Sequence, residues 1–419
     1  MISTEGLNKI IGIEEFEGEE TVLVEPGASL KDLSEWLHLR DRALGYGFVG
    51  FKGISVGGST ATAAHGSSPR HSPILATEIQ GVTIITADGR LKEFTEKNTD
   101  HITFKALRAH LGMLGVVVQL RIKIRPQFNL ETFVSFESDK EILGEKNAVD
   151  LIRNCDFGQI HWFPHSGKVM RTCGHETQKP TDPGANNTIL TPFTPSVFIV
   201  PYKLATHYGA CNKRLNSFLE DFRLASFALM PPFKKDNFLG HSINSRHVIG
   251  PSHRMLSSEF ALAENSLVFR DWEIAIPESQ LSAALNEIHD YLKSNKIALP
   301  LSGIFLRFAP VEEQTLISPV TSGGHFNPGE IAVYVEIPSY HAIGFSPALR
   351  EEHDHQYEEI AKLLISKYHG RAHWGKNQKS VFTFQSKLDP YKNGLDRFRK
   401  VVRRFDPRGV FQNEFGEAL

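Results

Sequence analysis

The most informative part of the sequence is Gly53-Ile-Ser-Val-Gly-Gly-Ser-Thr-Ala-Thr-Ala-Ala-His-Gly-Ser-Ser68. Apart from Ile54, Val56 and His65, none of its residues is larger than threonine, so the stretch fills a hydrophobic core poorly. Gly57 and Gly58 allow a ligand to approach the backbone, and the surrounding hydroxyl and amide groups suit an anionic or polar ligand. We interpret the stretch as a ligand cradle, with a flexible glycine-serine loop or tight helix packing as the alternatives.

The cradle matches neither GxGxxG nor GxxxxGK[ST], so the pattern predicts neither a Rossmann nor a P-loop nucleotide site. His65 on its own is more typical of a hydrogen-bonded structural histidine than of a catalyst, and both interpretations stay open. A second glycine pair lies in Leu111-Gly-Met-Leu-Gly-Val-Val117. Taken alone, that pair indicates the end of a helix.

Composition excludes several classes of protein. The 419 residues contain 46 Lys and Arg against 48 Asp and Glu, a net charge of −2, which does not favour a nucleic-acid partner. Cys155, Cys173 and Cys211 contain no CxxC pair, so neither a disulfide framework nor a zinc ribbon is expected, and a reducing compartment fits best. No apolar run approaches the roughly 18–20 residues of a membrane span. Without a signal peptide pattern, the expected location is intracellular and cytoplasmic.

Hydrophobic periodicity predicts an α+β fold in two parts. In the first 125 residues, a strand over 21–25 precedes a helix capped by Ser29, and a hairpin over 82–94 turns at Asp88-Gly89. A helix over 101–110 and a strand over 116–125 follow. Beyond Pro126 the pattern predicts a second α+β domain to about residue 370, with strands over 158–163, 266–275, 303–308 and 331–337 and helices over 204–224, 278–294 and 353–367. Residues 178–187 are predicted to form a surface loop.

The tail contains Gly370-Arg-Ala-His-Trp-Gly-Lys376. His373 and Lys376 are suited to binding a ligand or stabilising developing negative charge, and Trp374 to walling a planar cofactor. The alternative is a turn that carries exposed polar residues. Other histidines, such as those of His353-Asp-His355, lack further ligands at metal spacing, so no metal site is predicted.

Several ordered motifs together resemble one family, and they run nearly from end to end of the chain. The motifs are Val24-Glu-Pro-Gly-Ala-Ser-Leu-Lys-Asp-Leu33, Gly57-Gly-Ser-Thr-Ala-Thr-Ala-Ala-His-Gly-Ser67, Ala87-Asp-Gly89, Leu111-Gly-Met-Leu-Gly-Val116, His373-Trp-Gly-Lys376 and Phe405-Asp-Pro-Arg-Gly-Val-Phe-Gln-Asn413. They resemble the sugar-1,4-lactone oxidases (the L-gulonolactone and D-arabinono-1,4-lactone oxidase branch) and alditol oxidases of the vanillyl-alcohol-oxidase type of FAD flavoproteins. The resemblance implies an FAD-binding domain of the PCMH type in two segments, 1–125 and 371–419, with a cap domain at 126–370 between them.

The resemblance also implies roles for individual residues. In the loop around the flavin diphosphate and ring, the matching residues are Gly58, Ser59, Ala64, His65, Gly66, Ser67 and Ser68. Thr77, Ile79 and Ile122 match contacts to the adenine half. His373 and Lys376 match a pair at the N1/C2 edge of the flavin, where positive charge stabilises the reduced ring. Ala64 lies where side-chain size governs oxygen access in this family, so oxidase and dehydrogenase behaviour both stay open.

In the cap, similar enzymes carry a Glu-x-Arg on a strand that meets the substrate. Here Gly303-Ile-Phe-Leu-Arg307 keeps Arg307, while Phe305 takes the place of the acid. Tyr334 and Glu336 are expected to face the ring. The implied reaction is FAD-dependent oxidation of an alcohol carbon of a sugar lactone or polyol, with O2 or another acceptor. Its expected catalytic residues are Arg307, Glu336, Lys376 and His373, and its expected substrate-binding residues are Arg307, Tyr334, Glu336 and Lys376.

The largest departure from the family is at the start. Family members precede the segment around Leu7 with a strand and a glycine-rich loop, often ending in Gly-His-Ser, which holds the flavin diphosphate and in many members the flavin itself. Met1 falls after that position, so weakened, non-covalent FAD is expected in this chain. A truncated form or a catalytically inactive binding module is the alternative. Similar lactone oxidases also associate peripherally with membranes, although no anchor is evident in the sequence.

Overall fold

The computed structural model describes residues 2–47, 53–144, 147–188, 213–257, 268–294, 303–341 and 347–419. The strands are β1 Ile10–Phe16, β2 Glu19–Val24, β3 Arg42–Ala43, β4 Ile79–Ile85, β5 Leu91–Thr95, β6 Val116–Lys123, β7 Arg125–Pro126, β8 Asn129–Ser138, β9 Phe157–Phe163, β10 Lys168–Thr177, β11 Asn186–Asn187, β12 Phe233–Asp236, β13 Ser242–Ser245, β14 His247–Pro251, β15 Val268–Ile276, β16 Ile304–Pro310, β17 Ile331–His341 and β18 Arg371–Ala372. The helices are α1 Leu30–His38, α2 Val56–Ala61, α3 His101–Arg108, α4 Lys140–Leu143, α5 Ala148–Ile152, α6 Lys213–Leu229, α7 Ser252–Met255, α8 Leu281–Ser294, α9 Pro347–Tyr368, α10 Lys379–Ser386, α11 Gly394–Phe405 and α12 Glu414–Ala418. Mixed helix and strand content confirms the predicted α+β class.

The first sheet has five antiparallel strands in the order β1-β2-β6-β4-β5. Local sequence signals account for the elements around it. The Ser29 hydroxyl accepts a hydrogen bond from the Asp32 amide at 3.0 Å and starts α1, as predicted. The hairpin β4–β5 turns at Gly89, whose φ of +79° suits glycine. Asp100 caps α3 through the Thr103 amide at 3.0 Å.

The second sheet has eight strands in the order β14-β8-β10-β9-β16-β17-β15-β18. Its two faces differ because side chains alternate along each strand. Across β9, β16, β17 and β15, one row of directly opposed residues is apolar, formed by Ile160, Leu306, Val335 and Ile274. Helix α9 packs against β15 and β17, and all four side chains are buried. The polar side chains of these strands therefore lie on the opposite face of the sheet.

The polar face presents two neighbouring rows. The first row runs His161, Phe305, Glu336 and Glu273, and the second runs Gln159, Arg307, Tyr334 and Ala275. Carboxylates and an arginine in the middle of a sheet cannot face a hydrophobic core without partners. The register of the sheet thus gathers ionisable groups from distant parts of the sequence at one place.

The tail packs against the first part of the chain. Helix α11 contacts α3, and the Asn413 side-chain amide donates to the carbonyl oxygen of Leu111 at 2.8 Å. Arg408 donates to the carbonyl oxygen of Ala87 at 3.2 Å. The first tail strand, β18, belongs to the second sheet and pairs with β15. The tail therefore touches both parts of the molecule, while the domain boundaries at 125 and 370 stay a prediction.

Several predicted elements are shifted at their ends. The strand expected over 266–275 is observed from Val268 to Ile276, and residues 266–267 lie outside the described residues. The helix expected over 204–224 is observed as α6, with 204–212 outside the described residues. Within 178–187, the loop ends in the short strand β11. No helix in the described ranges combines the length and hydropathy that crossing a membrane requires.

The expectation that no disulfide forms is wrong. Cys155 and Cys173 are joined by a disulfide bond. Cys173 lies on β10 directly opposite Gly158, three residues after Cys155, so strand pairing brings together two cysteines that are 18 residues apart in sequence. The argument for a reducing compartment loses its basis with this bond, and the compartment stays a prediction.

Candidate active site

The small-residue cradle folds as a short helix followed by a sharp turn. Ser55 caps α2 by accepting a hydrogen bond from the Gly58 amide at 3.1 Å. Beyond α2, the Ala64 amide donates to the carbonyl oxygen of Ser59 at 2.8 Å, and the Gly66 amide donates to that of Pro73 at 2.8 Å. These backbone bonds place the side chain of the residue between them, His65, on the polar face of the second sheet.

His65 is buried and has a partner at each ring nitrogen. Its Nε2 lies 3.0 Å from Glu273 Oε2, and its Nδ1 lies 2.8 Å from the carbonyl oxygen of Gly66. The ring stacks on Tyr334 at a centroid distance of 3.5 Å. Glu273 and the carbonyl group of Gly66 thus each place an oxygen acceptor beside one of the two ring nitrogens. His65 is therefore a hydrogen-bonded buried histidine, and its contact with Glu273 also makes it part of the candidate site.

A continuous chain of ion pairs extends from Glu273 across the sheet. Lys376 Nζ lies 3.3 Å from Glu273 Oε1 and 2.6 Å from Glu336 Oε1. Arg307 follows, with one guanidinium nitrogen 2.5 Å from Glu336 Oε2. Burial alone lowers the pKa of the Lys376 ammonium, but Glu273 and Glu336 outweigh burial and raise it. Burial likewise opposes ionisation of Glu273, yet Lys376 and His65 hold its pKa well below the ordinary value.

His373 completes the cluster as a neutral ring. Its backbone amide donates to the carbonyl oxygen of Glu273 at 3.0 Å, and its Nδ1 accepts from the Gly375 amide at 3.0 Å. The ring meets His65 edge-on at 5.1 Å. Burial lowers the pKa of His373 to about 3, so the ring is uncharged at neutral pH.

Trp374 does not wall a cofactor, and that expectation is wrong. Its ring is buried in the core, and Nε1 donates to the carbonyl oxygen of Ile317 at 2.6 Å. The neighbouring rings of Phe382 and Tyr391 pack against it. The alternative, a turn with exposed polar residues, is also wrong for His373 and Trp374, since both are buried. In the turn that follows β18, His373 contacts the site while Trp374 packs into the core.

The serines after His65 attach the cradle to the second sheet. Ser67 Oγ donates to the carbonyl oxygen of Gly158 and accepts from the Phe308 amide at 3.0 Å. The Ser68 amide donates to the carbonyl oxygen of Phe308 at 2.8 Å, and its hydroxyl accepts from two following amides. Both side chains are used in these contacts, so they act in this structure by positioning the cradle.

A groove of about 370 Å³ lies at the other end of α2. It brings together the two glycine pairs and the tail motif, and its lining residues include Gly57, Gly112, Gly115, Val410 and Asn413. A Cβ on Gly57 would lie 2.6 Å from Pro26 Cβ, and one on Gly115 would lie 2.7 Å from the carbonyl oxygen of Ile85. Close packing of the backbone therefore leaves no room for a side chain at Gly57 or Gly115, so the second glycine pair does more than end a helix.

These features fit FAD, which is long and has an anionic diphosphate and a planar ring. The groove and the charged cluster lie at opposite ends of α2, which spans about 9 Å at 1.5 Å per residue. At one end, glycines leave the backbone accessible. At the other, the buried cations Arg307 and Lys376 pair with Glu336, and Lys376 also pairs with Glu273; buried cations suit a ring that becomes anionic on reduction.

The remaining predicted cofactor residues lie in the packing around this site. Ser59 Oγ donates to the carbonyl oxygen of Val56 at 2.9 Å within α2. Thr77 Oγ1 donates to the carbonyl oxygen of Ile74 at 2.8 Å. Ile79 and Ile122 face each other across β4 and β6 and are fully buried. Their expected contacts with the adenine half of the flavin stay predictions.

The sequence reasoning missed two acids on β15. Glu273 connects the cradle to Lys376, and Asp271 lies two residues earlier on the same face. Burial, followed by the charge of Glu336, raises the pKa of Asp271 to about 7. The signal was present in Asp271-Trp-Glu-Ile274, where acids alternate with large apolar residues at the period of a strand.

We expect Gly57→Ala to weaken FAD binding about tenfold and to lower the melting temperature, because the new Cβ meets Pro26 Cβ at 2.6 Å and the backbone must shift. FAD titration followed by flavin fluorescence measures the effect. Gly53→Ala is the matched control, since nothing lies within 4 Å of its Cβ in the same segment. Equal affinities for the two variants would contradict a close backbone approach at Gly57.

Comparisons with known proteins agree with this geometry. The profile of the D-arabinono-1,4-lactone oxidase family matches residues 120–419, and that of the FAD binding domain matches residues 1–95. L-gulonolactone oxidase of Bos taurus is 26% identical, with 100% of this chain and 85% of that protein covered. Probable L-gulonolactone oxidase 1 of Arabidopsis thaliana is 25% identical, with 100% and 72% covered. The crystal structure of cholesterol oxidase from B. sterolicum superposes with a TM-score of 0.75 at 15% identity, with 99% and 83% covered.

The fold and the charged cluster thus define an FAD-dependent oxidoreductase with a PCMH-type flavin domain, which acts on CH–OH donors. Within that class, the chain belongs to the D-arabinono-1,4-lactone oxidase family, a family of sugar-lactone oxidases.

Proposed function

We propose that the enzyme oxidises an alcohol carbon of a sugar 1,4-lactone of the D-arabinono-1,4-lactone or L-gulonolactone type, or of an alditol, and passes the electrons to O2 or another acceptor. The observation that carries the proposal is the buried chain of Arg307, Glu336 and Lys376 on the face of the second sheet that His65 approaches. Two buried cations side by side suit a substrate rich in oxygen atoms. Relatives named L-gulonolactone oxidase support the substrate class.

In this proposal, residues 1–125 and 371–419 form the flavin-binding part and residues 126–370 the cap. Bound FAD would supply the hydride-accepting chemistry that oxidation of an alcohol carbon requires. Arg307 and Lys376 bind substrate oxygens, and Glu336 holds both cations in place at 2.5 and 2.6 Å. His373 would contact the flavin as a neutral ring and add no charge, since burial lowers its pKa to about 3. Tyr334 supports the cradle through its stack on His65.

Asp271 is the proposed acceptor of the substrate hydroxyl proton. It lies on the polar face of β15, and unlike Glu273 it is only partly buried. Its pKa of about 7 allows a carboxylate oxygen to take a proton at neutral pH and to release it afterwards. Glu273 is held in two ion pairs and is less suited to this role.

We expect kcat/KM of the enzyme to rise with pH through about 7 and then to level off, because the base must be deprotonated and the pKa of Asp271 is raised to about 7. Asp271→Asn removes the titrating group while keeping its shape. The variant should lose about 10²-fold or more in rate together with this rising limb. Initial rates between pH 5.5 and 9 test the assignment, and an unchanged pH profile in the variant would exclude Asp271 as the base.

The function is tested by mixing the flavin-loaded protein with sugar 1,4-lactones and alditols without oxygen and recording flavin absorbance. Bleaching by a lactone supports the proposal, and reoxidation on admitting O2 supports oxygen as the acceptor. The alternative, a catalytically inactive binding module, is not favoured because the family and the relatives are oxidases. It would gain support if no lactone, alditol or hydroxy acid reduced the bound flavin.

We further propose that FAD is held non-covalently. Both ring nitrogens of His65, the histidine of the cradle, are already engaged by Gly66 and Glu273, so neither is available for a flavin bond in this arrangement. Acid precipitation should leave the flavin in the supernatant. Flavin that stays with the pellet would contradict the proposal.

A further inference from the structure

His161 is a buried polar side chain that the proposed reaction does not use. It lies on β9, directly opposite Phe305 on β16 and Met170 on β10. The ring is fully buried, and neither nitrogen has a hydrogen-bond partner among the residues that the structure describes. An imidazole always offers at least one donor or acceptor at each nitrogen, so two hydrogen-bonding groups are left without partners.

The surroundings of His161 are aromatic. Its ring stacks on Phe305 at 4.0 Å, and the rings of Phe163 and Phe227 lie at 4.6 and 5.8 Å. Burial, followed by the charges of Arg223 on α6 and Arg307 on β16, holds the pKa of His161 well below its ordinary value. The ring is therefore neutral, with one nitrogen that donates and one that accepts.

Packing alone does not explain a histidine at this position. A phenylalanine would continue the aromatic cluster without leaving polar atoms unsatisfied, whereas each buried, unpartnered nitrogen costs stability. An unsatisfied buried group in a native protein points to a partner that the protein alone does not provide. A molecule with hydroxyl groups, which both donate and accept, would satisfy the two nitrogens of His161 that have no partner among the described residues.

The position of His161 on the sheet indicates which molecule this is. His161, Phe305, Glu336 and Glu273 form one row across four adjacent strands and point to the same face. Neighbouring strands are about 4.8 Å apart, so the His161 backbone lies about 10 Å from that of Glu336. A ligand bound by Glu336 and the two cations it holds can therefore extend over Phe305 toward His161.

We propose that His161 is a specificity-determining residue that hydrogen-bonds a hydroxyl group at the end of the substrate remote from the oxidised carbon. Phe305 forms the apolar floor between this hydroxyl subsite and the charged cluster. The inference rests on the proposed function for the identity of the substrate. It goes beyond that proposal because it assigns recognition of the remote hydroxyl group to β9. This strand contributes no residue to the cluster of Arg307, Glu336, Lys376 and Glu273.

The test combines His161→Phe with a pair of substrates. One is the best sugar 1,4-lactone of the activity screen, and the other is the same lactone without its side-chain hydroxyl groups. For the full substrate, we expect KM to rise about 10- to 100-fold with little change in the limiting rate of flavin reduction. For the truncated substrate, KM should be the same in variant and wild type. Equal effects on both substrates, or none on either, would overturn the proposal.

The melting temperature separates this role from a structural one. His161→Phe should melt at the same temperature as the wild type or higher, since it removes two unsatisfied atoms from an aromatic cluster. Met170→Leu is the matched control, because it alters the buried residue opposite His161 at nearly constant volume. If Met170→Leu showed the same substrate-dependent change in KM, the aromatic cluster around His161 would be responding to any change in packing. That result would overturn the assignment to His161.

A binding measurement keeps the inference testable if no lactone reduces the flavin. Lactones and alditols with hydroxylated side chains are then assayed for their effect on the melting temperature of the wild type and of His161→Phe. A shift in the wild type that is lost in the variant supports the subsite even where the proposed reaction has failed. Equal shifts, or no shift in the wild type with any compound, contradict it.

Discussion

Lys376→Met should reduce the rate of flavin reduction by about 10²–10³-fold, because removing one buried, preorganised group that stabilises developing charge has effects of that size. The ammonium of Lys376 lies 2.6 Å from Glu336 and 3.3 Å from Glu273, with its side chain only 18% exposed. Without it, Glu273 and Glu336 lose the cation that they share, and one of the two cations proposed to bind substrate oxygens is missing. Stopped-flow absorbance with a saturating lactone measures the loss.

Lys376→Arg is the companion variant, since it keeps the charge while changing the geometry. We expect it to retain more activity than Lys376→Met and to melt near the wild-type temperature. Because methionine leaves Glu273 and Glu336 without their shared cation, the FAD content and melting temperature of Lys376→Met are measured first. A folded, flavin-loaded Lys376→Met variant that reduces flavin at the wild-type rate would remove Lys376 from the mechanism.

Glu273→Ala should lower the free energy of unfolding by about 3–5 kcal/mol, the usual cost of removing one partner from a buried ion pair. Glu273 is completely buried and contacts both His65 and Lys376, so its loss leaves the Lys376 ammonium and the His65 imidazole facing a cavity. The strand carrying Glu273 would also lose its side-chain contact with the cradle. Denaturant unfolding of the flavin-loaded protein gives the change in stability.

Glu20→Ala is a matched control for this prediction. Glu20 pairs with Arg42 at 2.5 Å, but their side chains are 38% and 32% exposed, and exposed ion pairs contribute about 0–1 kcal/mol. Glu273→Gln provides a second comparison, because an amide keeps one acceptor for His65 or Lys376. Similar losses for Glu273→Ala and Glu20→Ala would show that the buried chain of ion pairs does not hold the cradle to the sheet.

Elements that depend on neighbouring residues were predictable. The Ser29 cap, the Asp88-Gly89 hairpin and the helix after Asp100 all rest on hydrogen bonds within a few residues. The cradle was recognisable because its residues are too small to fill a core. In each case the physical cause lies inside a short segment, so a single sequence contains the necessary information.

Contacts between segments distant in sequence were harder to predict from the sequence. Cys155 and Cys173 meet because β9 and β10 pair, and their spacing in sequence does not reveal that pairing. Trp374 lies in a motif that suggested a cofactor wall, yet it is buried in the core, where its indole donates to the carbonyl oxygen of Ile317. Nothing in the sequence distinguishes Glu273 from other charged residues in strands. Its role follows from the pairing of β15 with β17, which places it opposite Glu336.

By itself, the sequence predicted the α+β class and the glycine-rich cradle around His65, and its resemblance to the sugar-lactone oxidases implied Arg307, Glu336 and Lys376 as site residues. Only the tertiary structure decided that Glu273 joins the cradle to Lys376, and that His161 lies in the same row of the sheet. The reason is the register of antiparallel strands, which places residues more than a hundred positions apart side by side. A shift of one residue in any of those strands would turn its polar side chains to the opposite face.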